Sequence, residues 1–289
     1  MKKPITLFLL LSIHLIGHSQ GMTIIDQDFS KAKAIADQEN KLLFIDFYTT
    51  WCGPCKKLDK LVFQNDSVST ILGRDFILLR YDAEKDKEFH LSKKHHISSY
   101  PTAIVLNREG YVVKRKYGFS SENTKELLSK VFDFTSRSLE LNQQNFYIKG
   151  YSNSIQEERY PKFYIDFVNR DDIKVTTRKE FKEYWENTND LFDEAYFSTL
   201  VYFADDAPVH LANQFLDNKE KYIELYGETD VDVALFKFSF GQFDHAVDTK
   251  SKLDLEKAKA FSIKAIGEES TENLLSFYKG KFEEANNNK

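Results

Sequence analysis

From Leu42 to Tyr48 every residue but Asp46 is apolar. A run of this length reads as a strand covered on both faces, as at the centre of an α/β sheet. Phe76–Tyr81 (FILLRY) and Thr102–Leu106 (TAIVL) repeat the pattern. A turn at Arg108-Glu109-Gly110 then returns the chain along Tyr111–Tyr117 as an antiparallel strand. Helical spacing fills the intervals. Asp28–Asn40 places Ala32, Ile35 and Ala36 on one face behind a capping Asp28. Pro54–Phe63 opens with a proline where a missing N–H costs little. Asp66–Leu72 is expected to be capped by Asp66, Lys85–His95 is a polar helix, and Glu122–Phe134 closes the set. The order αβααβαββα describes an α/β core with a central mixed sheet.

After Ser136 strand alternation ends and apolar residues recur every three or four positions, as in Phe192, Tyr196, Thr199, Leu200 and Phe203. Helices are expected at Phe163–Val168, Arg178–Trp185, Asp193–Phe203, Val209–Tyr226, Asp230–Phe240, Leu253–Ile266 and Thr271–Glu284. Pro161 and Pro208 can open helices, and Gly227 and Gly267 can end them. The second half is thus expected to be all-α. A tetratricopeptide-like array and an irregular bundle are both open, since no clean repeat of about 34 residues is visible. The expected division is a leader at 1–20, an α/β domain at 21–137 and a helical domain at 138–289.

The chain is 42% hydrophobic and 29% charged, the balance of a folded protein. Its charge is uneven: the net value is +5 before Ser138 and -10 from there on. An acidic second half argues against a nucleic-acid partner. Lys2 and Lys3 precede an apolar run from Ile5 to Gly17, and Gly17 and Ser19 precede a cleavage point near Gln20. That is the design of a secretory signal peptide. Ser12 and His14 interrupt the run, which falls short of the roughly 20 residues of a spanning helix. The expectation is therefore an exported protein, its short leader pointing to a bacterial periplasm.

Cys52 and Cys55 are the only cysteines, too few for a disulfide scaffold or a four-thiolate zinc site. A mixed zinc site would have to draw on His90, His95 and His96. Pro54 between the cysteines, Trp51 before them and the strand-to-helix setting favour a redox pair over zinc or two inert thiols. At a helix N-terminus, free N–H groups and the helix dipole stabilise a Cys52 thiolate. That thiolate can attack a substrate disulfide, and Cys55, one turn on, can resolve the mixed disulfide. The Gly53-Pro54 spacer sets the separation at which the two sulfurs close. His210 and His245 are isolated, and the pairs Asp171-Asp172 and Asp205-Asp206 read as loop or cap residues rather than a calcium site. No metal or cofactor is expected.

Trp51-Cys52-Gly53-Pro54-Cys55, an Asp six residues before the first cysteine, and Tyr100-Pro101-Thr102 together resemble the thioredoxin superfamily, over residues 25 to 135. The resemblance implies a thioredoxin fold in which Asp46 lies buried behind Cys55 and handles its proton. It implies that Pro101 is a cis-proline and that Trp51, Gly53, Pro54, Tyr100, Pro101 and Thr102 shape a groove for the substrate peptide. The extra helix after Asn65 is similar to the periplasmic domain of the transmembrane disulfide reductase. One departure stands out: the lysine that short thioredoxins carry near the buried acid corresponds to Leu78. The helical half is similar to C-terminal extensions of exported thioredoxin-like proteins in Bacteroidetes-type bacteria, a likeness that implies no activity.

The expected function is an exported thiol-disulfide oxidoreductase acting as a reductase, because the Gly-Pro spacer is that of reducing relatives. Its expected partners are disulfide-containing proteins and an upstream, membrane-borne thiol donor. The alternative is a binding or assembly protein whose helical half recognises a partner while the redox pair acts as a switch.

Overall fold

The computed structural model describes residues 21–287 apart from 98, 120, 122, 153–155, 170–177, 188 and 189. The leader and the Asp171-Asp172 pair lie outside the described residues. Strands β1 (Ile24–Asp26), β2 (Leu42–Tyr48), β3 (Phe76–Asp82), β4 (Thr102–Leu106) and β5 (Val112–Tyr117) form one sheet in the order β1-β3-β2-β4-β5. β3 runs parallel to β1 and β2, whereas β4 is antiparallel to both β2 and β5. The central strand β2 is buried from Leu42 to Phe47, which is why its sequence is apolar without alternation. β1 has no counterpart among the expected strands. Three residues are too few to establish a period, and pairing with β3 holds them extended.

Helix α1 (Phe29–Glu39) begins as expected, with the Asp28 carboxylate accepting the Lys31 N–H. α2 (Gly53–Leu58) runs on into one wider π turn at Asp59–Phe63. α3 (Asp66–Leu72) is capped by Asn65, not Asp66. Asn65 has the extended backbone of a cap and accepts the Val68 N–H, which leaves Asp66 inside the first turn. The expected helix Lys85–His95 shrinks to the single turn α4 (Leu91–Lys94). Here the Asp86 carboxylate takes the N–H groups of Leu91 and Ser92, holding the preceding segment out of the helix. α5 (Thr124–Gln143) continues past Phe134 and crosses the expected domain division after residue 137.

The second half is all-α among its described residues. It contains α6 (Lys162–Asn169), α7 (Arg178–Asn187), α8 (Glu194–Phe203), α9 (Val209–Asp217), α10 (Lys219–Tyr226), α11 (Glu228–Thr249), α12 (Lys252–Ile266) and α13 (Glu268–Asn287). The expected helix Val209–Tyr226 is divided at Asn218 into α9 and α10. Gly227 and Gly267 end α10 and α12 with φ of 80° and 84°, a backbone that favours glycine.

One sheet face carries Phe44, Phe76, Leu78 and Val105 and is covered by α2 and α5 through Leu58, Phe63, Leu127 and Phe134. The opposite face carries Ile45, Phe47, Leu79, Ile104 and Leu106. Its core is continuous from Ala32 and Ala36 of α1 to Phe197, Tyr226 and Phe238 of the second half. Because α4 is one turn long, the helical half supplies much of this cover. Aromatic stacking fills the join, as in Phe197 on Tyr226 with ring centroids 3.9 Å apart. At the outer edge of β5, Ile148 N–H donates to the Val112 carbonyl at 2.7 Å and Thr229 Oγ1 to the Arg115 carbonyl at 3.1 Å.

Candidate active site

β2 ends at Tyr48, and its carboxyl end delivers the chain to the cysteines. Cys52 N–H donates to the Thr49 carbonyl at 3.2 Å, turning the chain into α2. Cys52 is the N-cap: its Sγ accepts the Cys55 N–H at 3.2 Å, and Pro54 occupies the first turn. Cys52 and Cys55 are joined as a disulfide with a Cα–Cα distance of 5.3 Å. Both are buried, whereas Gly53 and Pro54 between them are exposed. A Cβ at Gly53 would meet nothing within 4 Å, so this position of the spacer faces open space.

The β2–β4 register pairs Phe47 with Thr102. The cysteine end of β2 and the proline end of β4 therefore emerge at the same edge of the sheet. The Tyr100–Pro101 peptide is cis, and Pro101 is buried. Trp51, 62% exposed, meets Tyr100 edge to face at 6.2 Å, and its indole N–H donates to Glu84 Oε1 at 2.8 Å. Thr102 faces inward instead. It is fully buried and its hydroxyl donates to the Ser99 carbonyl, so it supports the loop rather than lining the groove.

Asp46 is 2% exposed on the sheet face that α2 covers. Burial pushes its carboxyl up to about 7; Arg80 opposes the rise and Asp59 adds to it. These two neighbours escape sequence reasoning. Arg80 lies directly opposite Asp46 in the β2–β3 register, and Asp59 sits one turn beyond Cys55, with its Oδ2 3.4 Å from Arg80 Nη2. Four-residue spacing from Cys55 was the available signal for Asp59. Arg80 is the one charged residue of FILLRY, but its partner is visible only once the register is known. Leu78 is fully buried against Phe44, so the cation nearest the acid stands one inward-facing position further along β3.

The remaining candidates are placed elsewhere. His95 is buried with its ring 6.1 Å from that of Phe47, and His96 is buried beside Tyr164, the hydroxyl and Nδ1 being 2.5 Å apart. Neither joins the cysteines. Asp205 is 3.3 Å from Lys237 at the turn after α8. Among the described residues no group of three or more His, Cys, Asp or Glu is arranged to hold a metal ion.

A cysteine pair at a helix N-terminus can pass two electrons between dithiol and disulfide, and a carboxyl buried under the same helix that titrates near 7 can, in its ionised form, accept the proton that the second thiol must lose. Comparison with known proteins agrees. A family model described as thioredoxin-like matches residues 24–107. A thioredoxin of Mycoplasmoides gallisepticum is 34% identical over 100 residues, which cover 33% of this chain and 93% of that one. Thioredoxin-1 of Drosophila melanogaster is 33% identical over 76 residues, 26% of this chain and 66% of that protein. A Bacteroides thetaiotaomicron protein of known solution structure, described as a candidate disulphide-isomerase, is 42% identical with a TM-score of 0.33, covering 39% of this chain and 91% of that one. The cysteine chemistry and this similarity converge on one reading: the chain belongs to the thioredoxin family and is a thiol-disulfide oxidoreductase with an all-α region after its thioredoxin domain.

Proposed function

We propose that this protein is an exported reductase of protein disulfides. The observation that carries the reading is the Cys52–Cys55 disulfide at the N-terminus of α2, with Cys52 as its cap, beside an exposed Trp51, while Asp46 is buried on the sheet face that α2 covers. In the reduced protein the Cys52 thiolate attacks one sulfur of the substrate disulfide. A Cys52–substrate disulfide forms and the other substrate sulfur leaves as a thiolate, which takes up a proton. Asp46 then accepts the Cys55 proton, and the Cys55 thiolate attacks Cys52 Sγ. The second substrate sulfur leaves as a thiolate and takes up a proton while Asp46 gives up the one it held, so the substrate departs as a dithiol and the enzyme is left as the disulfide. Each cycle consumes two electrons, so a thiol donor must reduce the pair again; in an oxidising compartment that donor is a membrane-borne relay. The groove is formed by Trp51, Gly53, Pro54, Tyr100 and Pro101.

Insulin reduction with dithiothreitol as donor tests the activity. Wild type is expected to accelerate it and Cys52→Ser to be no faster than dithiothreitol alone; equal rates would remove the enzymatic reading. A reductase is expected to have a reduction potential near about -270 mV rather than near about -120 mV, where a strong oxidant lies. Export is supported by the leader design at residues 1–20. Fractionation of cells making the full chain is expected to yield a periplasmic form beginning near Gln20; retention in the cytoplasm would remove that part.

A further inference from the structure

The helical half meets the thioredoxin domain through a charge as well as through apolar packing. Arg115, 3% exposed in β5, faces Asp230, fully buried in the first turn of α11. Arg115 Nη1 lies 3.1 Å from Asp230 Oδ2, and Nη2 donates to the His95 carbonyl at 2.8 Å. The Tyr151 hydroxyl donates to the same Asp230 oxygen at 2.5 Å, with the guanidinium 5.5 Å from the Tyr151 ring centroid. One planar fork thus joins the α11 N-terminus, the segment after α4 and β5.

Two of those three elements lead to the groove. Beyond Arg115, Tyr117 pairs with Thr102, and the Gly118 N–H donates to the Pro101 carbonyl at 2.8 Å. On the other side, His95 precedes Tyr100 and Pro101 by five and six residues. The Tyr100–Pro101 segment is therefore bracketed by chain that Arg115 holds. A buried ion pair adds little net stability over apolar residues of the same volume, because desolvation offsets the attraction; fixing one geometry is its better-attested use.

We propose that Arg115, Asp230 and Tyr151 are positioning residues for substrate: through them the helical half sets where Tyr100 and Pro101 stand relative to the cysteines. The proposal rests on the protein-disulfide reductase reading. Only a substrate with a polypeptide around its disulfide uses the groove, whereas a small aromatic disulfide needs the cysteines alone.

The full exported chain is compared as wild type, Arg115→Lys and Tyr151→Phe. Lysine keeps the buried charge but cannot span Asp230 and the His95 carbonyl together. Tyr151→Phe removes one hydroxyl and leaves the ion pair, so it carries the test if Arg115→Lys does not fold. Initial rates are measured against insulin with dithiothreitol, and for the pre-reduced protein against dithionitrobenzoate. KM for insulin is expected to rise about tenfold with kcat held within about twofold, the signature of lost binding. The dithionitrobenzoate rate is expected to stay at the wild-type value. An unchanged KM in folded variants, or an equal loss on both disulfides, would overturn the positioning role while leaving the reductase reading intact. A wild type inert towards insulin would overturn that reading and the positioning role with it.

Discussion

Asp46 shows how one side chain ties stability to chemistry. Its carboxyl titrates near 7 in the folded protein because burial penalises the charge. In the unfolded chain an Asp titrates near about 3.9. The folded value is the higher one, so between these limits the folded state binds more protons and stability falls as pH rises. Below both values Asp46 has no effect on the slope, and above about 7 the loss is complete. Asp46→Asn is therefore expected to be more stable than wild type at pH 8, by up to about 4 kcal/mol, and equal to it near pH 3. Urea titrations at the two pH values measure this; an equal gain at both would exclude the titration as its cause. The same variant is expected to resolve mixed disulfides about 100-fold more slowly near neutral pH and to lose the rise in rate around pH 7. Stopped-flow measurement of substrate release reads both. The acid itself was legible in the sequence, as the one polar residue in an apolar strand. Its charged neighbours were not, because Arg80 and Asp59 come from separate elements that only the β2–β3 register and the α2 packing bring together.

At the scale of elements, legibility followed how far each segment's fate was decided by its own residues. β2 and β4 are buried on both faces, and the apolar runs marked them. β1 and α4 depend on partners outside their own stretch: β3 for the one, the Asp86 carboxylate for the other. The long α11 carries a constraint of the same kind. Gly241 lies where a Cβ would stand 2.4 Å from the Asp205 carbonyl oxygen, so the helix and the turn after α8 touch backbone to backbone. Gly280 in α13 has nothing within 4 Å of its Cβ position. In an open helix Gly→Ala stabilises by about 1 kcal/mol. That gain is expected for Gly280→Ala. Gly241→Ala is expected to destabilise by about 1–3 kcal/mol, since a backbone carbonyl cannot rotate aside. Urea midpoints of the two variants give opposite signs if the packing is as described; the same sign would contradict it.

For the whole molecule, the consequence is cooperativity. The core that starts at α1 and the inner face of the sheet runs without a break into α8, α10 and α11, and α5 spans the residues between the halves. Trp51 stands at the redox centre and Trp185 is buried in α7, so each half carries an intrinsic fluorophore. Unfolding followed by fluorescence of Trp51→Phe and of Trp185→Phe, and by far-ultraviolet circular dichroism, is expected to give one coincident transition. Separate midpoints would mean that the halves fold independently. The residues that make this core were readable as core from their helical spacing. The surface they cover was not, because a helix stripe does not say which sheet it meets. The cover on β5 bears on solubility too. A sheet ordinarily has two unpaired margins, each able to recruit a strand from another molecule. Here Ile148 and Thr229 occupy carbonyls along one margin, and the other ends in the three residues of β1. Among the described residues little bare ladder is left on which a second copy could grow, so the helical half that covers this margin also shields the sheet from self-assembly.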